Sequence, residues 1–392
     1  VPVSLARRRW ALSALFLLPG LCVSSWVTRT PAVRDLLDAS TAQMGLVLFG
    51  LSVGSMAGIL SSGPLVMRWG TRPVVATGSG LIVLAMPVIA IGAAAGLPLL
   101  TAAGLALFGA GMGGGEVAMN IEGADVERLG GRPFLPALHG CFSLGTVIGA
   151  VLGILANAVS FPVVAHLVLA GVLGAALLVW AMRAIAPGVG RVAPQERGGP
   201  APVRGPALWK DARLLLIGGI VLAMALAEGT ATDWLPLVMV DGHGFDATLG
   251  SSMFALFAAS MTIGRFGGGP IVAQVGRPRV LAVSALFAAT GLALISLVDS
   301  QIVALIAVVL WGLGASLGFP LALSAAGDSG ANPAARVALA STIGYLAFLV
   351  GPPTLGLLGE EIGLRGALVV PLAVALVAVL LAPATASRAR TA

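Results

Sequence analysis

The chain reads as an all-α membrane protein of twelve transmembrane helices arranged as two six-helix bundles, and three observations predict it. Apolar residues fill 58% of the 392 positions and charged residues only 10%, with a mean hydropathy of +1.02. A soluble domain carries roughly a quarter charged residues, so this composition cannot supply a water-compatible surface. Apolar runs long enough to cross a bilayer recur from one end of the sequence to the other. A short stretch is also repeated at about half the chain length.

The first six spans fall near 10–30, 41–62, 74–95, 97–119, 138–159 and 162–183. The second six fall near 213–240, 248–268, 280–298, 301–325, 337–358 and 364–383. Short Gly/Pro turns join the third to the fourth and the fifth to the sixth, as antiparallel hairpins require. Arg7-Arg8-Arg9 before an apolar stretch imitates a secretory signal, but the eleven spans behind it favour a retained first helix. A polar, Pro/Gly-rich stretch divides the chain into bundles at 1–186 and 211–392 with a cytoplasmic linker at 187–210.

With both termini cytoplasmic, all of the 22 Lys and Arg except Arg29, Arg34 and Arg365 lie inside, Arg265 being counted with the loop after the eighth span. That asymmetry predicts a multi-pass protein of the bacterial cytoplasmic (inner) membrane. Spread between apolar runs in this way, the basic residues form no face for nucleic acid despite a net charge of +6.

Residues 63–74 read GPLVMRWGTRPV and residues 269–280 read GPIVAQVGRPRV, an offset of 206. Both copies fall between the second and third span of their half. Six spans per half is an even number, so duplication gives two copies of the same orientation, a parallel pseudo-two-fold repeat.

These segments resemble the signature of the major facilitator superfamily, roughly G-x-L-x-D-R-x-G-R-R, and the resemblance extends over the whole chain. Gly63, Leu65, Arg68, Gly70 and Arg72 match it, with Gly269 and Gly276 in the second copy. Met67 and Ala273 stand where the family has an acid, so the latch which that acid is thought to form between the halves is in doubt. Ser25–Pro31, Gly115–Asn120 continuing to His139-Gly140, and Glu228–Trp234 resemble the YbjJ-like bacterial branch, with Glu116 where that branch usually has Asp. The resemblance implies a secondary transporter working by alternating access.

Within the spans, charged residues are the informative ones, because an acid at a helix centre costs about 2.5–3.5 kcal/mol on insertion scales. Glu228 lies about 15 residues, or roughly 22 Å, into the seventh span. It is the first candidate for proton coupling, against a purely structural Glu held by neighbouring helices. Glu116 is the second candidate. It shares a helix face with Asn120, one turn on, and the alternative for it is pairing with Arg128 or Arg132.

Asp233 and Arg29 sit toward the outside of the seventh and first spans, where a pair between halves closes the cavity or both are solvated at the rim. Trp26 and Trp234 beside them either line the substrate cavity or anchor the spans at the interface. Glu122, Asp125 and Glu127 are read as solvated, His139 as structural, and His166 and His243 receive no role. Gly145, Gly149 and Gly153 form a strip of small residues for close helix contact.

The expected function is therefore proton-coupled transport of a small organic solute by a monomer in the lipid bilayer, with an uncoupled facilitator as the near alternative. A transporter-like receptor or a membrane-embedded enzyme are the alternatives of another class. Three scattered His and two Cys in apolar runs supply neither a nucleophile–base pair nor a metal cluster. Gly111–Gly115 is followed by no Lys-Ser/Thr, so it is not a phosphate loop, and no cofactor is expected.

Overall fold

The computed structural model describes residues 4–131, 134–192, 208–330 and 332–386, and its regular structure is helical throughout. The chain divides into two compact units, Val1–Pro200 and Ala201–Ala392. The expected linker at 187–210 falls largely on 193–207, outside the described residues, as do Arg132, Arg197, Arg204, Arg388 and Arg390.

The first unit holds α1 (Leu5–Val27), the short α2 (Thr30–Leu37), α3 (Thr41–Trp69), α4 (Thr71–Ala94), α5 (Pro98–Gly130), α6 (Leu135–Ala158) and α7 (Val163–Met182). The second holds α8 (Ala212–Leu237), prolonged by a π-turn at Val238–Gly242, then α9 (Ala247–Val275), α10 (Arg277–Leu297), α11 (Gln301–Asp328), α12 (Pro333–Ala367) and α13 (Val369–Leu381). Polar caps set several starts. Ser40 and Gln43 form a reciprocal capping box on α3, and Asp246 accepts from the Thr248 and Leu249 N–H groups on α9.

Among the described residues, eleven helices are long and apolar enough to cross a membrane. The helix bounds differ from those expected at the twelfth span, 364–383. α12 runs on to Ala367 with a non-helical Gly363 (φ 76°) inside it, and Val369–Thr385 forms a shorter apolar helix. Gly363 falls between the eleventh expected span, which ends near 358, and the twelfth, which begins near 364.

The repeated segment also differs from expectation. It is helix almost throughout, and the link between α3 and α4 is the single residue Gly70, as Gly276 alone links α9 to α10. Both take a positive φ, 86° and 89°, which a side chain rarely adopts, so glycine is needed at each turn. Arg265 is likewise not in a loop; it lies within α9.

The two units use the same neighbours in the same order. α1 packs on α6 and α7, α5 on α3 and α4, and α4 on α7; correspondingly α8 packs on α12 and α13, α11 on α9 and α10, and α10 on α13. The contacts differ in kind. A β-carbon on Gly145 or Gly149 would run into the carbonyl oxygens of Leu17 or Leu21, so α6 lies against the backbone of α1. In the matching α8–α12 contact a side chain intervenes. The β-carbon of a residue at Gly351 would meet Leu226 Cδ1 at 3.1 Å, and at Gly344 it would meet Val221 Cγ1 at 2.6 Å.

At the ends of the helices polar groups are tied down. Residues just after α7 return to the repeated segment: the Thr71 N–H donates to the Val189 carbonyl (2.8 Å) and the Val192 N–H to the Met67 carbonyl (3.0 Å). In the second unit Asp211 caps α8 through the Leu214 N–H (3.1 Å) and accepts a hydrogen bond from Arg336 at the start of α12. The Arg336 guanidinium holds the Asp211 carboxyl below its ordinary range.

Two outcomes follow. Gly149→Val should lower stability by about 1–3 kcal/mol, read as a lower thermal midpoint in detergent, while Gly80→Ala, with open space at its β-position, should not lower it. A depressed folded pKa stabilises above the unfolded value and is lost as pH falls through the folded one. The thermal midpoint of Asp211→Asn should therefore lie below that of the parent at neutral pH, and the gap should close below about pH 4.

Candidate functional site

The membrane-embedded charges of the second unit gather on α8. Glu228 pairs with Arg265 of α9 at 3.1 Å, and the Arg265 Nε–H donates to the Ser316 carbonyl of α11 (3.4 Å). One residue before, the Ala227 carbonyl accepts from the Trp311 indole N–H at 3.1 Å. Three helices are thus knitted together at one level. Glu228 lies 16 residues beyond the start of α8, roughly 24 Å along a helix rising 1.5 Å per residue and about two-thirds of the way to its end. Sequence reading missed this pair because Arg265 was counted with a loop.

Five residues further along α8, Asp233 is only 8% exposed and has no hydrogen bond or ion pair among the described residues. It borders a narrow crevice with Thr230, Phe348 and Pro352, where α8 faces α12. The Thr230 hydroxyl and the Trp234 indole N–H are also buried without a partner among the described residues. Pro352 has no N–H to offer the carbonyl of Phe348, four residues back, so the α12 wall of the crevice is locally short of backbone hydrogen bonding.

In the first unit Glu116 lies near the middle of α5. Its side chain is exposed and carries no hydrogen bond or ion pair among the described residues. Asn120 follows one turn later and is half-buried. Arg128, one of the two arginines weighed as a partner for Glu116, is instead paired with Asp125 at 2.6 Å; Arg132 is outside the described residues.

Arg29 is buried beyond the end of α1, and its guanidinium donates to the Asn157 side chain and the Phe161 carbonyl of its own unit. Trp26 and Trp234 are buried, 2% and 1% exposed, so neither indole is an interfacial anchor. Of the signature residues, Gly63 and Gly269 lie inside helices with nothing near their β-positions. Arg68 stacks over Trp69 at 5.5 Å, and Arg72 donates to the Met182 carbonyl (3.5 Å).

The reading of Glu122 and the acids beyond it as solvated is overturned. α5 continues to Gly130, and Glu122 is completely buried, accepting from Arg8 (2.6 Å) and from the Thr71 hydroxyl (2.7 Å). Arg8 also reaches Asp125 at 2.8 Å, and Glu127 accepts from the Phe134 and Leu135 N–H groups at the start of α6. The second unit has a counterpart at the same spacing. Arg277 pairs with Asp328 at 2.8 Å; Thr71 and Arg277, like Glu122 and Asp328, are 206 residues apart. Each turn glycine is thus followed by a residue tethered to the end of its own bundle's α5 or α11. His139 rests edge-on against Phe16.

A family model described as "Major Facilitator Superfamily" matches residues 12–336. An uncharacterised MFS-type transporter of Yersinia pestis is 32% identical over 348 residues, covering 88% of this chain and 87% of the relative. The membrane protein MosC of Rhizobium meliloti is 25% identical over 94% of this chain and 87% of its own length. Among solved structures, a mutant of the nucleoside transporter NupG superposes with a TM-score of 0.78 at 15% identity, covering 96% of this chain and 98% of that one. The E. coli fucose:proton symporter FucP gives 0.64 at 19% identity, over 97% and 98%.

Removing the carboxylate at the centre of the buried network leaves Arg8 with Asp125 alone and takes the acceptor from the Thr71 hydroxyl. Glu122→Ala should destabilise the protein by about 3–5 kcal/mol, seen as a large drop in thermal midpoint or loss of monodisperse protein. The further change Arg8→Met in that background should recover part of the loss; no recovery would mean that the pair is not the source.

Proposed function

The chain belongs to the major facilitator superfamily and is a multi-pass membrane transporter, and from that premise we propose that it moves a small polar organic solute by alternating access coupled to protons. The single observation that carries the coupling is the Glu228–Arg265 pair, about two-thirds of the way along α8 and α9. In a low-dielectric region a lone charge is expensive, so carboxylate and guanidinium hold one another. A proton arriving on Glu228 cancels that attraction and frees Arg265, giving two distinct arrangements of one unit that differ by one proton. Such a two-state element is what a proton gradient needs in order to bias a conformational equilibrium.

Glu116 complements it. A carboxylate that is exposed, and unpaired among the described residues, beside an amide is suited to accept hydrogen bonds from hydroxyl or amino groups of a solute, or to take up a second proton. In this reading Trp26 and Arg29, at and just beyond the end of α1, and Asp233 and Trp234, toward the end of α8, belong to the outer part of the solute path, each pair within its own unit. The rocking bodies are 1–186 and 211–392, joined by 187–210. The protein works as a monomer in the bacterial inner membrane with both termini cytoplasmic, supported by basic residues at the helix ends that bear Arg7, Arg9, Arg183 and Lys210. That similar folds carry nucleosides and, with protons, fucose supports a polar solute of comparable size.

The uncoupled facilitator keeps one observation in its favour: Glu228 is already neutralised by Arg265, as a purely structural pair would be. Proteoliposomes decide between them. Glu228→Gln should reduce pH-gradient-driven accumulation at least about tenfold while leaving solute exchange at equal pH measurable. Driven uptake undiminished in Glu228→Gln would show that the pair is structural.

A further inference from the structure

At the end of the first unit where α1 begins and α7 finishes, a groove of about 190 Å³ is lined by Arg7, Trp10, Ala11, Trp180, Arg183 and Ala184. The two helices contribute the same three residue types, with arginine and indole in opposite order along the chain. On α1 the arginine comes first, the indole three residues deeper and the alanine after it; on α7 the indole comes first, then the arginine at the helix end and its alanine. Three residues of helix are roughly 4.5 Å, so both guanidinium groups lie on one outer level and both indoles about one level deeper.

The indoles face outward, Trp10 being 69% and Trp180 51% exposed, while Ala11 is fully buried and Ala184 nearly so. Small floor residues and large walls make the groove.

The arginines are distinguished by what they lack. Arg8 is held by Glu122 and Asp125, and Arg9 lies over the Phe134 ring at 5.4 Å. The side chains of Arg7 and Arg183 have no carboxylate, carbonyl or ring partner among the described residues, yet they converge on one groove. Two like charges so placed repel unless an anion lies between them, and a guanidinium fork matches the oxygens of a phosphate. Indoles one level deeper are suited to the glycerol and upper acyl region, where tryptophan concentrates in membrane proteins.

We propose that this groove is a binding site for the phosphodiester headgroup of an anionic phospholipid. Its phosphate bridges Arg7 and Arg183, and its glycerol ester region packs between Trp10 and Trp180. The site lies within one unit and does not depend on the transport reading.

Native mass spectrometry of the purified, delipidated full chain tests it, by titration with phosphatidylglycerol and with phosphatidylcholine of the same acyl chains. The parent protein should retain phosphatidylglycerol about tenfold or more in preference. Arg7→Gln/Arg183→Gln should abolish that preference, whereas Arg191→Gln/Arg279→Gln, which removes two exposed cations elsewhere, should keep it. Inorganic phosphate at equal concentration should not displace the bound lipid.

Equal retention of the two lipids by the parent, or an unchanged preference in the groove variant, overturns the proposal. So does loss of preference in the control variant, which marks non-specific charge attraction, or displacement by inorganic phosphate, which marks a free-anion site. The same variants read by thermal midpoint keep folding separate. A groove variant that melts as the parent does without lipid, but lacks the parent's stabilisation by phosphatidylglycerol, has lost binding rather than structure.

Discussion

A bilayer interior offers no water to a polar group, and that single constraint orders this structure. Backbone groups are satisfied by helices, and ionised side chains survive there only where the protein provides a partner. Several charges accordingly sit toward helix ends in small networks: Arg8 with Glu122 and Asp125, Arg277 with Asp328, Arg336 with Asp211, Arg365 with Asp299. Against that background the mid-helix groups stand apart. Glu228 keeps a counter-ion, while Glu116 and Asp233 have none among the described residues, one exposed and one buried. Function is sought at these three positions because the general rule is met elsewhere.

The two units apply one packing scheme with different tolerances. In the first, glycines bring α6 onto the α1 backbone and α5 onto both of its neighbours. In the second, Gly291, Gly312 and Gly314 likewise bring α11 onto the backbones of α10 and α9, but leucine, valine and isoleucine side chains stand between α8 and α12, and α12 carries two consecutive prolines. Close backbone contact resists sliding, because little side-chain volume is available to rearrange. Interposed flexible side chains and missing helical hydrogen bonds make displacement less costly. The buried carboxyl of Asp233 lies on the looser side of this contrast, in the α8–α12 crevice.

Spans, helix hairpins and the spacing of the repeat were legible in the sequence because each is a local or periodic property. What escaped was long-range. Glu122 stands in a polar run with Asp125, Glu127 and Arg128 that looks like a solvated helix end, and only Arg8, 114 residues away, makes it buried. The repeat offset applied to acids as well as to glycines would have matched Glu122 with Asp328. Arg265 was misplaced because a charge near the end of an apolar window reads as the beginning of a loop. Asp233 and Trp234 were singled out on level alone, and their burial depends on packing that hydropathy does not encode.

The one-residue turns at Gly70 and Gly276 also fix rotational phase. A link of several residues lets two helices rotate about their own axes independently; a link of one does not. Since an α-helix advances about 100° per residue, one added residue would swing every side chain of α4 or α10 to a different azimuth. Thr71 would then be carried away from Glu122, and Arg277 from Asp328. The turns therefore act as gear teeth, setting the angle at which each three-helix assembly meshes, and length there is constrained as strictly as residue type.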